Sequence, residues 1–121
     1  IKLSEYNASQ QYILVFWSSM CSHCLAELPQ LENFIKSFKK EKLQVIAFAL
    51  EDKPEGWKQK ISEFPDFKHV YGEGKWDNKT GNDYGVEATP TYFILDKDKK
   101  ILAKPNDFEA VKACFIRTEK Q

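Results

Sequence analysis

The chain has one arginine, one methionine, two histidines and three cysteines among its 121 residues, with only five glycines and five prolines. Each scarcity excludes something. An odd set of three cysteines is not a disulfide framework, which uses them in even numbers. Glycine and proline are too sparse for a linker or low-complexity tract, and no internal repeat appears. No apolar run approaches the length of a membrane span. Charge of one sign is missing too: lysine plus arginine and aspartate plus glutamate each total 18. No net field therefore draws the chain to nucleic acid or to a membrane. At 42% hydrophobic and 30% charged residues the composition is that of a soluble globular protein, long enough for one domain with one core.

What is present concentrates between residues 13 and 24. The run Ile13-Leu14-Val15-Phe16 has the length and β-branched content of a buried strand. A helical pattern follows within a few residues, with apolar side chains at Leu25, Leu28, Leu31, Ile35 and Phe38. Cys21 and Cys24 sit at that strand-to-helix junction in the spacing Cys-x-x-Cys. A cysteine there faces the unpaired N–H groups of the first helical turn and the positive end of the helix dipole. Both favour the thiolate, so Cys21 is expected to titrate well below the ~8.5 of a free cysteine and to act as nucleophile. Cys24, one turn further in, is the less exposed partner.

Along the rest of the chain, residues 1–11 read as an irregular leading segment and 12–17 as the first strand. A helix is expected from Cys21 to about Lys40, kinked at Pro29, with Lys36, Lys39, Lys40 and Lys42 as a solvated face near its negative end. The apolar run 43–50 reads as a central strand. A helix near 54–64 opens on Pro54 and puts Trp57, Ile61 and Phe64 on one face. Residues 67–71 make a short strand, and a brief helix near 76–84 ends at Gly85. A hairpin pairs 92–95 with 100–103 around Asp96-Lys97-Asp98-Lys99, a turn without glycine. Asp107 caps a last helix to about Thr118, where Phe108, Val111, Cys114 and Phe115 form an apolar stripe. Cys114 is read as a small buried hydrophobe.

Two other uses of the cysteine pair compete with redox chemistry. A zinc site needs a second ligand pair, and only His69 and Cys114 remain elsewhere. A structural disulfide across so short a loop would constrain the unfolded chain little. Redox exchange is favoured over both.

The segment Phe16–Cys24 resembles the active-site segment of the thioredoxin superfamily, and more narrowly that of the TlpA/ResA-like thiol-disulfide oxidoreductases. Pro29, five residues after Cys24, matches a proline in that family's first active-site helix. Val86-Glu87-Ala88-Thr89-Pro90-Thr91-Tyr92-Phe93-Ile94, led by Tyr84-Gly85-Val86, resembles its cis-proline segment. The resemblance covers nearly the whole chain. It implies an α/β thioredoxin fold over 1–121, a central mixed β-sheet with helices on both faces. It also implies more sequence ahead of Ile1, including an export signal, so the chain is expected to be a domain excised from a longer exported protein.

The activity implied is disulfide exchange with protein substrates, the electrons carried by Cys21 and Cys24 without cofactor or metal. Partners would be cysteine-containing proteins and a thiol-disulfide electron donor or acceptor, met by a monomer in the periplasm or cell envelope. Pro90 would be cis, helping to keep metal from the thiols and leaving the Thr89 backbone to pair with an extended substrate. Trp17 and Met20 would complete the substrate groove, with a purely core role as the alternative for Trp17. His23, between the cysteines, resembles the oxidising DsbA-type motif; its imidazole is expected to stabilise the Cys21 thiolate and make the pair less reducing than thioredoxin, the alternative being a solvent-facing helix residue with no role. The chain also departs from thioredoxin. Val15 stands where thioredoxin buries an aspartate, and Met20 replaces the tryptophan that commonly precedes the first cysteine. The resemblance to ResA-like proteins implies a glutamate near the end of the next strand as the missing proton acceptor for Cys24, which would be Glu51 or Asp52; exposed loop acids are the alternative reading of both.

Two rival functions fit less well. A peroxiredoxin-like peroxidase usually has a Thr/Ser-x-x-Cys nucleophile and an arginine, and Arg117, the only one here, falls in the final helix. A redox-silent thioredoxin-like binding module would keep the groove without needing an intact cysteine pair.

Overall fold

A computed structural model describes residues 10–39, 41–51, 54–74 and 77–119, with side chains in the last helix described as far as Phe115. Most of the leading segment, Lys40, Asp52 and the start of the 76–84 helix lie outside the described residues, as does the side chain of Arg117. In chain order the elements are β1 (Gln11–Trp17), α1 (Ser22–Ile35), β2 (Leu43–Glu51), α2 (Pro54–Lys60) with a 3₁₀ turn at Ile61–Glu63, β3 (Lys68–Glu73), α3 (Lys79–Asp83), β4 (Thr91–Asp96), β5 (Ile101–Ala103) and α4 (Phe108–Glu119).

The five strands form one mixed sheet in the order β3-β2-β1-β4-β5. β1 lies at its centre, parallel to β2 and antiparallel to β4. A strand flanked on both sides and covered on both faces must be apolar throughout, and Tyr12 to Trp17 are all fully buried. Alternate residues serve two cores. Ile13, Val15 and Trp17 face Leu28, Leu31 and Ile35 of α1, Phe108, Val111 and Phe115 of α4, and the Phe64–Phe67 turn. Tyr12, Leu14 and Phe16 face the other way, into a cluster with Phe48, Leu50, Phe93 and Val86, against which Tyr84 packs.

The chain differs from the periodic pattern in instructive places. α1 stops at Ile35 although Phe38 continues its apolar stripe, because the Phe38 N–H turns back to the Ile35 carbonyl (3.0 Å) in a tighter turn. After α3, Gly85 takes the left-handed conformation (φ 68°). Its N–H bonds Asn82 O and that of Val86 bonds Gly81 O, the paired closure expected of a glycine after a helix end. The glycine-free hairpin turn closes by other means. Lys99 takes the positive φ (67°), and the Asp96 carboxylate accepts from the N–H groups of Asp98 and Lys100 (2.8 and 2.9 Å).

β3 approaches β2 closely enough that glycine is required at one point. A Cβ at Gly72 would stand 2.3 Å from the Phe48 ring and 2.7 Å from the Ala49 carbonyl oxygen. Gly72→Ala is therefore expected to lower stability by about 1–3 kcal/mol in urea unfolding; an unchanged midpoint would contradict this packing.

Candidate active site

β1 ends at Trp17, and the next four residues turn the chain into α1. Cys21 N–H bonds Ser18 O (3.1 Å), and Met20 N–H bonds Ser18 Oγ (3.2 Å). The turn is also tied to β2: Ser19 N–H donates to Glu51 Oε1 (2.5 Å) and Ser19 Oγ to Glu51 Oε2 (3.1 Å). Cys21 thereby becomes the N-cap of α1, with extended backbone (φ −97°, ψ 109°). Its Sγ accepts the Cys24 N–H at 3.2 Å, the role a serine or aspartate oxygen fills in other helices.

Across the site, the Thr89–Pro90 peptide bond is cis, and the Thr89 carbonyl oxygen accepts from the Cys21 thiol at 3.4 Å. The residues quoted from two distant parts of the chain thus meet at one sulfur. Cys21 is half-buried and Cys24 fully buried, both as free thiols. Their titrations diverge. Burial alone would push Cys21 up, but hydrogen bonds from Cys24 and Thr89 and from the N–H groups of residues 24 and 23 outweigh it, and the thiol falls below its ordinary value. Burial drives Cys24 the other way, far above the ordinary range, with the Cys21 sulfur adding to the rise.

Three expected site residues make contacts other than the ones their proposed roles call for. Trp17 is fully buried with its ring edge-on to Phe64 at 6.1 Å, so it supports the motif from within the core and does not line a groove. The exposed His23 imidazole pairs with Oε2 of the largely buried Glu27 at 3.0 Å in an i,i+4 contact. Residue 23 reaches the nucleophile through its backbone N–H instead. Glu51 is buried, as a relay should be, but both its oxygens are engaged by Ser19. Met20, by contrast, is 82% exposed and presents a flexible apolar side chain beside Cys21.

The residue that sequence reasoning missed is Glu27. Lying three residues after Cys24 on α1, it accepts from Tyr92 OH (2.7 Å) and from the Phe108 N–H (3.1 Å) through Oε1 while Oε2 meets His23. Burial first, then the Glu27 bond and charge, and then Cys24 and Asp107 push the Tyr92 hydroxyl far up. Tyr92 thus bonds Glu27 and feels the charge of Cys24 as well. The available signal was an acid on the same helical face as Cys24, Leu28 and Leu31.

His69 is remote from this group: its Nε2 bonds Phe64 O (2.8 Å) at the end of the sheet's β3 edge. Cys114 packs against the α1–α4 core. Among the described residues no group of three or more His, Cys, Asp or Glu side chains is placed to hold a metal ion, and no helix is long and apolar enough to cross a membrane. A cavity of about 850 Å³ between Gln10, Phe38, Lys97 and Phe115 opens at the far end of β1 and shares no residue with the motif.

The His23 geometry yields a prediction. His23→Ala removes an exposed imidazole and leaves Glu27 its bonds from Tyr92 and Phe108, so stability should change by less than about 1 kcal/mol, and the alkylation rate of Cys21 should stay near the wild-type rate. A large fall in that rate would restore the imidazole as its tuning group.

A family model described as thioredoxin-like matches residues 9–101. The chain is 28% identical over 91 residues to the thiol-disulfide oxidoreductase ResA of a Bacillus cereus strain, a match that covers 75% of this chain and 51% of that protein. It is 30% identical over 89 residues to the thiol:disulfide interchange protein DsbE of Xylella fastidiosa, covering 74% of this chain and 43% of that one. The chain spans about half the length of these curated relatives. The solved thioredoxin domain of a thiol-disulfide oxidoreductase from Bacteroides vulgatus superposes with a TM-score of 0.80, covering 98% of this chain and 84% of that chain; at 22% identity the likeness is one of fold.

Proposed function

This chain belongs to the thioredoxin-like family, and from that premise we propose that it is a thiol-disulfide oxidoreductase working through Cys21 and Cys24 on cysteine-containing proteins. The supporting observation is the division between the two thiols, one lowered at a helix N-terminus and facing the cis-proline loop, the other buried and raised. Exchange needs such an asymmetric pair: an accessible thiolate to attack, and a withheld thiol to resolve.

In the reducing direction, the Cys21 thiolate attacks one sulfur of a substrate disulfide. The Cys21–substrate bond forms, the substrate S–S bond breaks, and one substrate thiolate leaves. Cys24, once deprotonated, attacks Cys21 Sγ. The Cys21–Cys24 disulfide closes, the second substrate thiolate leaves, and two electrons have passed to the substrate. The oxidising direction reverses these steps. The pair itself carries the electrons, and a second thiol-disulfide protein returns it to its starting state.

Cys24 must shed its proton in a buried setting. Glu27 supports this role by its place one turn beyond Cys24 and its bond to Tyr92, with Oε2 facing the exposed His23 side chain as a way out to solvent. Substrate docking is read from Thr89 and Met20. When Cys21 ionises, the Thr89 carbonyl loses the thiol donor it holds in the reduced form, leaving that oxygen for an N–H of an extended substrate beside the cis-proline. The exposed Met20 offers adaptable apolar contact next to it. A cell-envelope location follows from the resemblance to the ResA-like proteins.

The test is a trapping experiment with a disulfide-containing peptide, followed by mass spectrometry. Reduced Cys24→Ser protein should hold a stable Cys21–peptide mixed disulfide, and Cys21→Ser none. Glu27→Gln should form it normally but resolve it at least about tenfold more slowly; unaltered resolution would remove Glu27 from the proton path. A wild-type pair that never cycles would leave the redox-silent binding module as the better reading.

A further inference from the structure

The Glu51–Ser19 contact is used by none of these steps, yet it ties β2 by two bonds to the turn just before Cys21. We propose that Glu51 is a positioning residue for Cys21, a reading that rests on the exchange chemistry above but concerns how its nucleophile is prepared. Glu51 is only 4% exposed at the last position of β2. Burying a carboxylate is costly unless hydrogen bonds satisfy it. Here both oxygens are spent on a single residue of the active-site turn, one on its N–H and one on its hydroxyl. That N–H points inward, away from the Ser18 groups that hold Met20 and Cys21. Without Glu51 this half-buried donor would lose its protein acceptor.

A second element closes over the contact. A Cβ at Gly56 of α2 would lie 2.6 Å from Ser19 Oγ, so the glycine lets α2 rest directly on the clamped serine. Sheet edge, helix and turn therefore converge on Ser19, two residues before the nucleophile. What they fix is the extended backbone of Cys21, the conformation from which Sγ reaches both Cys24 N (3.2 Å) and Thr89 O (3.4 Å). If the clamp is released the turn relaxes, the sulfur loses its aim at the Cys24 N–H, and the thiolate loses its stabilisation.

Charge and positioning can be separated by comparing two variants. Glu51→Gln keeps an oxygen for the Ser19 N–H, and its amide can donate to Ser19 Oγ, so the clamp persists without charge. Glu51→Ala abolishes it. In reduced protein, the pH profile of Cys21 alkylation is expected to stay near the wild-type profile for Gln. For Ala it should move up toward an ordinary thiol, with the rate at pH 7 falling roughly tenfold. Should Glu51→Ala fail to fold, Ser19→Ala, which loses only the hydroxyl bond, is expected to move the profile the same way by less. An Ala variant, or that substitute, that melts earlier with an unmoved Cys21 profile would reduce Glu51 to a structural contact and overturn the proposal. A Gln variant that displaces the Cys24 titration and leaves Cys21 alone would overturn it in favour of the proton-acceptor role expected from sequence. Alkylation needs no disulfide substrate, so these outcomes are independent of whether the wild-type pair cycles.

Discussion

Everything in this site depends on the unpaired N–H groups at the start of α1 finding an acceptor, and the acceptor being a sulfur. A helix N-terminus must be capped by something. Placing Cys21 there makes one hydrogen bond serve helix stability and nucleophile activation together. Because the cap stabilises the ionised form, it also separates the two cysteines. Cys24 lies inside the helix, provides the N–H, and is buried where ionisation is opposed.

The cap can work only if its frame is stiff. β1 brings the chain to the turn through a strand buried on both faces, and Leu28, Leu31 and Ile35 press α1 onto that strand. Two acids on α1 reach outward from this contact. Glu27 ties the helix to Tyr92 and to the first N–H of α4, and Glu32 accepts from the Asp66 N–H at 3.1 Å beside β3. Burial pushes the Glu32 carboxyl up despite that bond. With Val15 where thioredoxin keeps an acid on the strand, the chain carries an acid instead on the same face of α1 as Cys24, at Glu27. Glu27, proposed above for the proton path, thus also anchors the helix to Tyr92 and α4.

Much of this was legible in the sequence because it rests on local patterns. The runs ending at Phe16 and Leu50 could only be buried strands, and Cys-x-x-Cys at a strand-to-helix junction, paired with the proline at 90, placed both halves of the site. What escaped depends on which way side chains turn. His23 and Glu27 are four apart on a helix, and that pairing won over the alternative of His23 bending back to Cys21. Trp17 follows the strict alternation of its strand into the core. Glu51 stood out as an acid near the motif, but sequence could not tell that Ser19, and not Cys24, lies against it. The hairpin turn closed without glycine because an aspartate side chain and one lysine in the left-handed region did its work.

The most direct test of the central claim is to titrate both cysteines in the reduced wild-type protein, following alkylation of each by peptide mass spectrometry across pH. The account predicts two well-separated profiles: Cys21 reacting with a midpoint below that of a free thiol, and Cys24 protected until the solution is strongly alkaline. Two coincident profiles near the free-thiol value of ~8.5 would mean that the helix cap does not select the nucleophile, and the account of this site would fall with it.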